Sequence, residues 1–267
     1  MRMLKSLNHS LDMLELFISE KKRSYTLAEV TEACGLTKAA THTSLANLVQ
    51  REYLHYDSVN RQYSLGLRTW ELGAGLLDSL DLRSVALPVL TELTQVAGET
   101  ALLSRYTNGS IVYIECVIGP APVATYTRLG ARAPAFCTAT GKAQLAFTPP
   151  SAFDRICAVG LKPYTDYTIT DPSVLRAELR EVRDTGYSVN KGEYGVDVVG
   201  VGAPLFNRDD QLVGGMGLSG PAYRLGRQPQ AVLSEPLLKA AATLQSALAR
   251  SSVPGVSFEK LDGKDAV

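Results

Sequence analysis

Few residues in this chain have types and spacings suited to covalent or acid–base chemistry. His9, His42 and His55 all lie near the N-terminus, and residues 82–250 contain no histidine. That excludes Ser-His-Asp and Cys-His nucleophilic arrangements from most of the molecule, and most zinc and iron sites with them. The segment GKAQLA around Lys142 lacks the GxxxxGK[ST] pattern of a phosphate loop, because Ala143 follows the lysine. GPAPVATYTRLG and GVDVVGVGAP carry glycines, but not as GxGxxG between a strand and a helix. NKGEYGVD holds Glu193 and Asp197 as a candidate acidic pair, but two carboxylates alone make a weak acid–base case and a solvated loop is the favoured reading. Cys137 follows Phe136 with no cationic cluster in the local sequence, so a buried inert thiol is the favoured reading. An enzyme built on Lys142, Glu193 and Asp197, or a redox sensor built on Cys137 or Cys116, stand as alternatives. No metal or cofactor is expected.

Two other features point to binding. GLTKAATHTSLANLVQREYL reads as a helix with Thr41, Ser44, Leu45, Leu48 and Val49 on one face. The opposite face centres on Ala39, Thr43 and Ala46, flanked by Lys38, His42 and Asn47. Small and hydrogen-bonding side chains of this kind let a helix approach base edges in the major groove of DNA, roughly 12 Å wide. Further along, Gly200, Gly202, Gly214, Gly215 and Gly217 crowd two strands. Glycines in strands mark bulges or the close approach of another group to the backbone. A concave face floored by backbone, with Asn190 and Ser219 nearby, would suit a small polar ligand.

The elements that must position these residues follow from periodicity. Leu7, Leu11, Leu14 and Ile18 recur at helical spacing over 7–20. Thr26 and Glu29 form a capping-box start for a second helix, and Gly35 ends it. Thr37 caps the third helix, Lys38 to about Arg51. YLHYDSVNRQYSL then reads as a short hairpin. Three helices and a hairpin make a winged helix-turn-helix. Leu67, Trp70, Ala74 and Leu77 form the stripe of a following helix, suited either to a second copy of the chain or to packing within it.

Another helix begins at Asp81 or Ser84 and runs to about Gly98. Asn108-Gly109 is a hairpin turn between two apolar runs, because both positions need positive φ. TATGKAQLAF reads as a loop entering a helix, helical segments follow at 151–159 and 172–185, then the strands VVGVGAPLF and QLVGGMGLSG joined by NRDD, and a closing helix at 231–250. Strand pairs with intervening helices and no βαβ alternation predict an α+β domain with an antiparallel sheet. From Ser251 the chain mixes charge, glycine and small residues and reads as a disordered tail.

Bulk properties agree. At 267 residues, 45% hydrophobic and 20% charged, the chain can bury a core. Lys+Arg and Asp+Glu balance at 27 each, so any nucleic-acid contact must come from a local surface. Four scattered cysteines without a CxxC pair fit reduced thiols in the cytoplasm. No apolar run reaches the ~18 residues of a membrane span, and the N-terminus lacks a signal-peptide pattern.

Over about residues 4–250 the chain resembles the IclR-type bacterial transcriptional regulators. SLNHSLDMLELF, LAEVTEACGLTKAATHTSLANLVQREYL and YSLGLR match their winged helix-turn-helix. LGARAPAFCTATGKAQLAF, and GYSVNKGEYGVDVVGVGAPLF with LVGGMGLSGPAYRL, match the more specific second-domain motifs. The resemblance implies a winged helix-turn-helix over 1–65, a linker helix over 66–80 and a GAF-like effector domain over 81–250, with 251–267 as the tail. It implies a homodimer or homotetramer on double-stranded promoter DNA, modulated by a small organic acid, with repression the common default.

DNA contacts carried over are Lys38, Ala39, His42, Thr43, Asn47, Arg61 and Tyr63. Effector contacts are Asn190, Gly200, Gly217 and Ser219, faced by Ala133, Phe136 and Cys137, with Asp197 as a further contact. Many members carry an acid where Asn190 stands, Cys at Gly200 and Ser at Gly217, which implies a larger, less polar cavity here and a bulkier aromatic carboxylate or amide. Asp197 stands where Gly is common. Thr43 stands where an Arg commonly contacts DNA, which shifts weight to Lys38, His42, Asn47 and the wing and implies either a site richer in A·T or a lower affinity.

Overall fold

The structure is a computed structural model that describes residues 4–18, 22–78, 81–228, 230–251 and 253–256. It falls into two compact units, one within Met1–Ser79 and one within Leu80–Lys260.

The first unit contains α1 (Lys5–Leu16), β1 (Ser24–Thr26), α2 (Leu27–Cys34), α3 (Lys38–Gln50), β2 (Leu54–Asp57), β3 (Gln62–Leu65) and α4 (Leu67–Asp78). Thr26 caps α2 through a reciprocal box: its backbone N–H donates to the Glu29 carboxylate at 2.8 Å, and its hydroxyl accepts from the Glu29 N–H. Gly35 ends α2 with φ of 62°, and the Thr37 hydroxyl accepts from the Ala40 N–H to start α3. Met13, Phe17, Val30, Leu45, Leu48, Leu54 and Tyr63 form one core. The strands pair antiparallel in the order β1-β3-β2. β1 was not expected, because three residues are too few to show a period.

The expected apolar stripe on α1 is only partly covered. Leu14 packs against the core that Met13 enters, while Leu7, Leu11 and Ile18 are exposed. On α4, Leu67 and Trp70 are likewise exposed.

The second unit contains α5 (Asp81–Ala97), β4 (Thr100–Thr107), β5 (Ser110–Val117), β6 (Arg132–Pro134), a 3₁₀ turn (Ala135–Cys137), α6 (Ala139–Leu145), α7 (Pro150–Val159) and α8 (Pro172–Thr185). It continues with β7 (Ser188–Lys191), β8 (Val198–Phe206), β9 (Leu212–Pro221), α9 (Ala222–Leu225) and α10 (Ala231–Leu248). The six strands form an antiparallel sheet in the order β6-β5-β4-β9-β8-β7. Asn108 and Gly109 turn β4 into β5 with φ of 47° and 83°.

Side chains alternate across the sheet with a period of two. Ala101, Leu103, Val201, Ala203, Met216 and Leu218 pack with Leu82 and Leu90 of α5 and Leu237 and Leu244 of α10. Leu102 belongs to the opposite core, with Tyr106, Ile111, Tyr113, Phe136, Leu145, Phe153 and Leu175.

The chain beyond Ser251 departs from the disordered tail expected there. Val253 is buried, its carbonyl accepts from Asn207 Nδ2 at 3.1 Å, and the Val256 N–H donates to the Leu212 carbonyl at 2.7 Å. These bonds fasten residues 253–256 beside the β8–β9 hairpin. Residues 257–267 lie outside the described residues. Among the described residues, no helix is long and apolar enough to cross a membrane.

Candidate nucleic-acid interface and effector site

α3 turns Thr41, Leu45 and Leu48 inward and leaves Lys38, Ala39, His42, Thr43, Ala46 and Asn47 exposed. The residues singled out from sequence thus share one solvent face, on a helix whose inner face the core fixes. Beside it lies a groove of about 780 Å³ between α3, the start of α2 and the hairpin, with Lys38, His42, Arg61 and Tyr56 among its walls. Arg61 sits in the hairpin turn with φ of 53°. Asp57 organises that turn by accepting from the Val59 and Asn60 N–H groups, and its hydrogen bonds to Asn60 hold its carboxyl below the usual range.

Tyr63 departs from expectation. It is 7% exposed and packs its ring against Tyr56 at 4.7 Å. It still lines the groove, but Tyr56 is the exposed ring of the pair. The hairpin register, Tyr56 opposite Tyr63, explains the pairing but not which ring is covered.

In the second unit the strand register assembles residues that are far apart in sequence. Asn190 pairs with Gly200, Gly200 with Ser219, and Ser219 with Thr100, giving one row across β7, β8, β9 and β4. The next row on that face is Ser188, Gly202, Gly217 and Leu102.

The two rows differ in what covers them. A Cβ on Gly202 would come within 2.5 Å of the Ala139 carbonyl carbon, and one on Gly217 within 2.6 Å of Thr140 Cγ2. Those glycines make room for α6, not for a ligand, which removes Gly217 from the expected ligand floor. At Gly200 the nearest obstacle is the neighbouring strand's own Leu218 carbonyl, at 2.6 Å.

The loop between β5 and β6 is tied to the first row. Thr125 donates to the Ser219 carbonyl at 2.8 Å, Thr100 donates to the Thr125 carbonyl at 2.8 Å, and the Gly119 N–H donates to the Thr100 hydroxyl at 3.1 Å. Thr100 and Thr125 were not legible in the sequence, because only the sheet register puts them beside Ser219.

Ala133, Phe136 and Cys137 are buried in the core on the α6 side of the sheet. Phe136 begins a chain of rings, with Tyr164 at 6.3 Å and Tyr164 to Tyr194 at 5.0 Å. Burial pushes the Tyr113 hydroxyl upward, and Tyr194 and Cys137 lie near enough to add to the effect. Asp197 does not join this group. Its side chain is exposed, and it contributes a backbone carbonyl that accepts from the Ala222 N–H at 2.7 Å.

Lys142 and Glu193 of the candidate acid–base set turn out to belong to an ion cluster with Glu178, without Asp197. Lys142 is fully buried and donates to Glu178 and, at 2.5 Å, to Glu193. Burial raises the Glu193 carboxyl above its ordinary value while the Lys142 charge pulls it back. The Glu193 N–H donates to Asn190 Oδ1 at 2.9 Å, so the cluster also fixes the loop after β7. With Lys142 enclosed and held by two carboxylates, the set ties α6 to α8 and to that loop.

Cys137 has a thiol pushed up to about 12, mainly by burial, with the Glu193 charge adding and Lys142 opposing. Cys116 is likewise raised by burial. Thiols of that kind hold almost no thiolate at neutral pH, which counts against redox sensing. Among the described residues no group of three or more His, Cys, Asp or Glu is placed to hold a metal.

A winged helix with an exposed third helix, followed by a separate sheet domain carrying a polar row, defines a transcriptional regulator with a sensing domain. Residues 6–58 match the IclR helix-turn-helix domain, and residues 74–246 match the bacterial transcriptional regulator IclR C-terminal domain. The chain belongs to the IclR family of bacterial transcriptional regulators.

It is 31% identical to the regulator KipR of Bacillus subtilis, over 89% of this chain and 94% of that one. It is 27% identical to XynR of Escherichia coli, over 93% of this chain and 98% of that one. An IclR transcriptional regulator from Alicyclobacillus acidocaldarius superimposes with a TM-score of 0.81 at 28% identity, covering 93% of this chain and 99% of that one. The fold is also shared, at a TM-score of 0.79 and 22% identity, with an IclR homolog from Microbacterium hydrocarbonoxydans complexed with 4-hydroxybenzoate, covering 93% of this chain and all of the other.

Proposed function

We propose that this protein is a cytoplasmic repressor that binds its promoter as a homodimer or homotetramer and is released by an aromatic carboxylate or amide. The observation that carries the sensing half is the row Asn190–Gly200–Ser219–Thr100, with the Phe136–Tyr164–Tyr194 rings in the same unit. Asn190 and Ser219 offer neutral polar groups, and Gly200 offers none, so bulk and aromatic surface outweigh charge as recognition elements. Aromatic pairs prefer edge-to-face or offset contact, which a ring chain of this kind can extend to a ligand ring. A protein of the same fold accommodates 4-hydroxybenzoate, which supports an aromatic acid as the class. The exposed Leu67 and Trp70 of α4 support self-association, because large apolar side chains on one helical stripe favour burial against a second copy.

An effector acts only through different affinity for two arrangements of the paired DNA-reading units. A ten- to hundredfold release of DNA needs about 1.4–2.7 kcal/mol of coupling. Thermal shift with a panel of acids and amides, followed by a gel shift on the gene's own upstream DNA, tests the proposal. Aromatic ligands should raise the melting temperature and weaken the shifted band. Stabilisation by two- and three-carbon acids, with none by aromatic ones, would reverse the assignment of ligand class.

A further inference from the structure

We infer that α3 reads thymine by its methyl group, with Thr43 at the centre of the contact. The inference rests on DNA binding by the exposed face of α3. Ala39, Thr43 and Ala46 fall along the middle of that face, opposite the buried Thr41, Leu45 and Leu48. The two hydrogen-bonding side chains best placed to read base edges are turned back onto the helix. Thr43 Oγ1 donates to the Ala39 carbonyl at 3.0 Å, and Asn47 Nδ2 donates to the Thr43 carbonyl at 2.9 Å. With its hydroxyl engaged, the Thr43 side chain offers its methyl, between the methyls of Ala39 and Ala46.

The middle of the recognition face is therefore apolar and shallow. In the major groove only thymine presents a matching group, the C5 methyl, whereas guanine needs a donor such as Arg and adenine needs a free amide. Lys38 and His42 lie to one side of this line and Arg61 in the hairpin turn, positions suited to phosphate contacts that carry no sequence information. A solvated helix face selected only for helicity would not place a β-branched Thr midway between two alanines.

The test starts from a random duplex library selected with the full-length protein. The selected duplex should carry thymines where α3 contacts it, and replacing one of them by deoxyuridine, which removes only the C5 methyl, should weaken binding about fourfold. Thr43→Ser keeps the hydroxyl bond and removes the methyl. It should lose about fourfold on the thymine duplex and nothing further on the deoxyuridine duplex. Thr43→Val should bind within about twofold of the parent, with far-UV circular dichroism confirming that each variant is folded. Equal binding of the thymine and deoxyuridine duplexes, or a selected motif with guanine at those positions, overturns methyl reading and leaves DNA binding intact. A library that yields no enriched motif overturns DNA recognition by this face, and methyl reading with it.

Discussion

Replacing Lys142 by Met tests what the buried cluster contributes. Lys142 is fully buried and shared between Glu178 and Glu193, whose side chains are 27% and 8% exposed. Met fills a similar volume, so packing is largely retained and the change isolates the charge. Two carboxylates then face each other without a cation, one of them enclosed. Removing one partner of a buried pair costs about 3–5 kcal/mol, because the remaining charge stays desolvated. For a domain of this size that corresponds to a melting temperature lowered by about 6–20 °C.

The loss has a defined pH dependence. The folded-state value of Glu193 is already raised by burial, and removing Lys142 takes away the largest opposing influence. A carboxyl with a raised folded value binds its proton more tightly in the folded state than in the unfolded chain. Its stabilising effect is therefore complete below the unfolded value and is lost as pH rises through the folded value. Lys142→Met should accordingly be least stable at pH 7–8 and recover part of its stability on acidification to about pH 5. Adding Glu193→Gln, which removes the surplus charge, should restore part of the loss at pH 7. Thermal melts followed by circular dichroism across that range measure both effects. A Lys142→Met protein that melts within about 2 °C of the parent at pH 7, or one whose deficit neither acid nor Glu193→Gln relieves, would refute the assignment of a stabilising cation to Lys142.

Other expectations follow from the same geometry. Lys38→Ala and Arg61→Ala should each weaken promoter binding and reduce the slope of log affinity against log salt by about one, measured by titration at several salt concentrations. Gly202→Ala places a methyl within 2.5 Å of the α6 backbone and should cost about 1–3 kcal/mol in urea unfolding. With its thiol near 12, native Cys137 should resist a thiol-specific reagent at pH 7.5 until the protein is unfolded, and Cys137→Ser should keep its response to effector.

Local signals in the sequence were enough for most elements. The Thr26–Glu29 box, the Thr37 cap, Gly35 and the Asn108–Gly109 turn act over four residues or fewer, so the sequence around them specifies their geometry. The inward and outward faces of α3 followed from helical period, because Leu45 and Leu48 gain more from burial than the small and polar residues opposite them. The family motifs likewise sit within continuous stretches. What tertiary structure alone decided involves partners far apart in the chain. Lys142 meets Glu178 and Glu193 across 36 and 51 residues, turning residues that read as catalytic candidates into an ion cluster. Gly202 and Gly217 read equally well as a ligand floor or as a helix seat, and the approach of α6 selects the seat. Tyr63 and Tyr56 have the same side chain in adjacent strands, and packing alone chose which to cover. The apolar stripe of α1 had the period of a buried face, yet of its four members only Leu14 packs on the core, because periodicity establishes that a helix has two sides without saying how much of one a neighbour will cover.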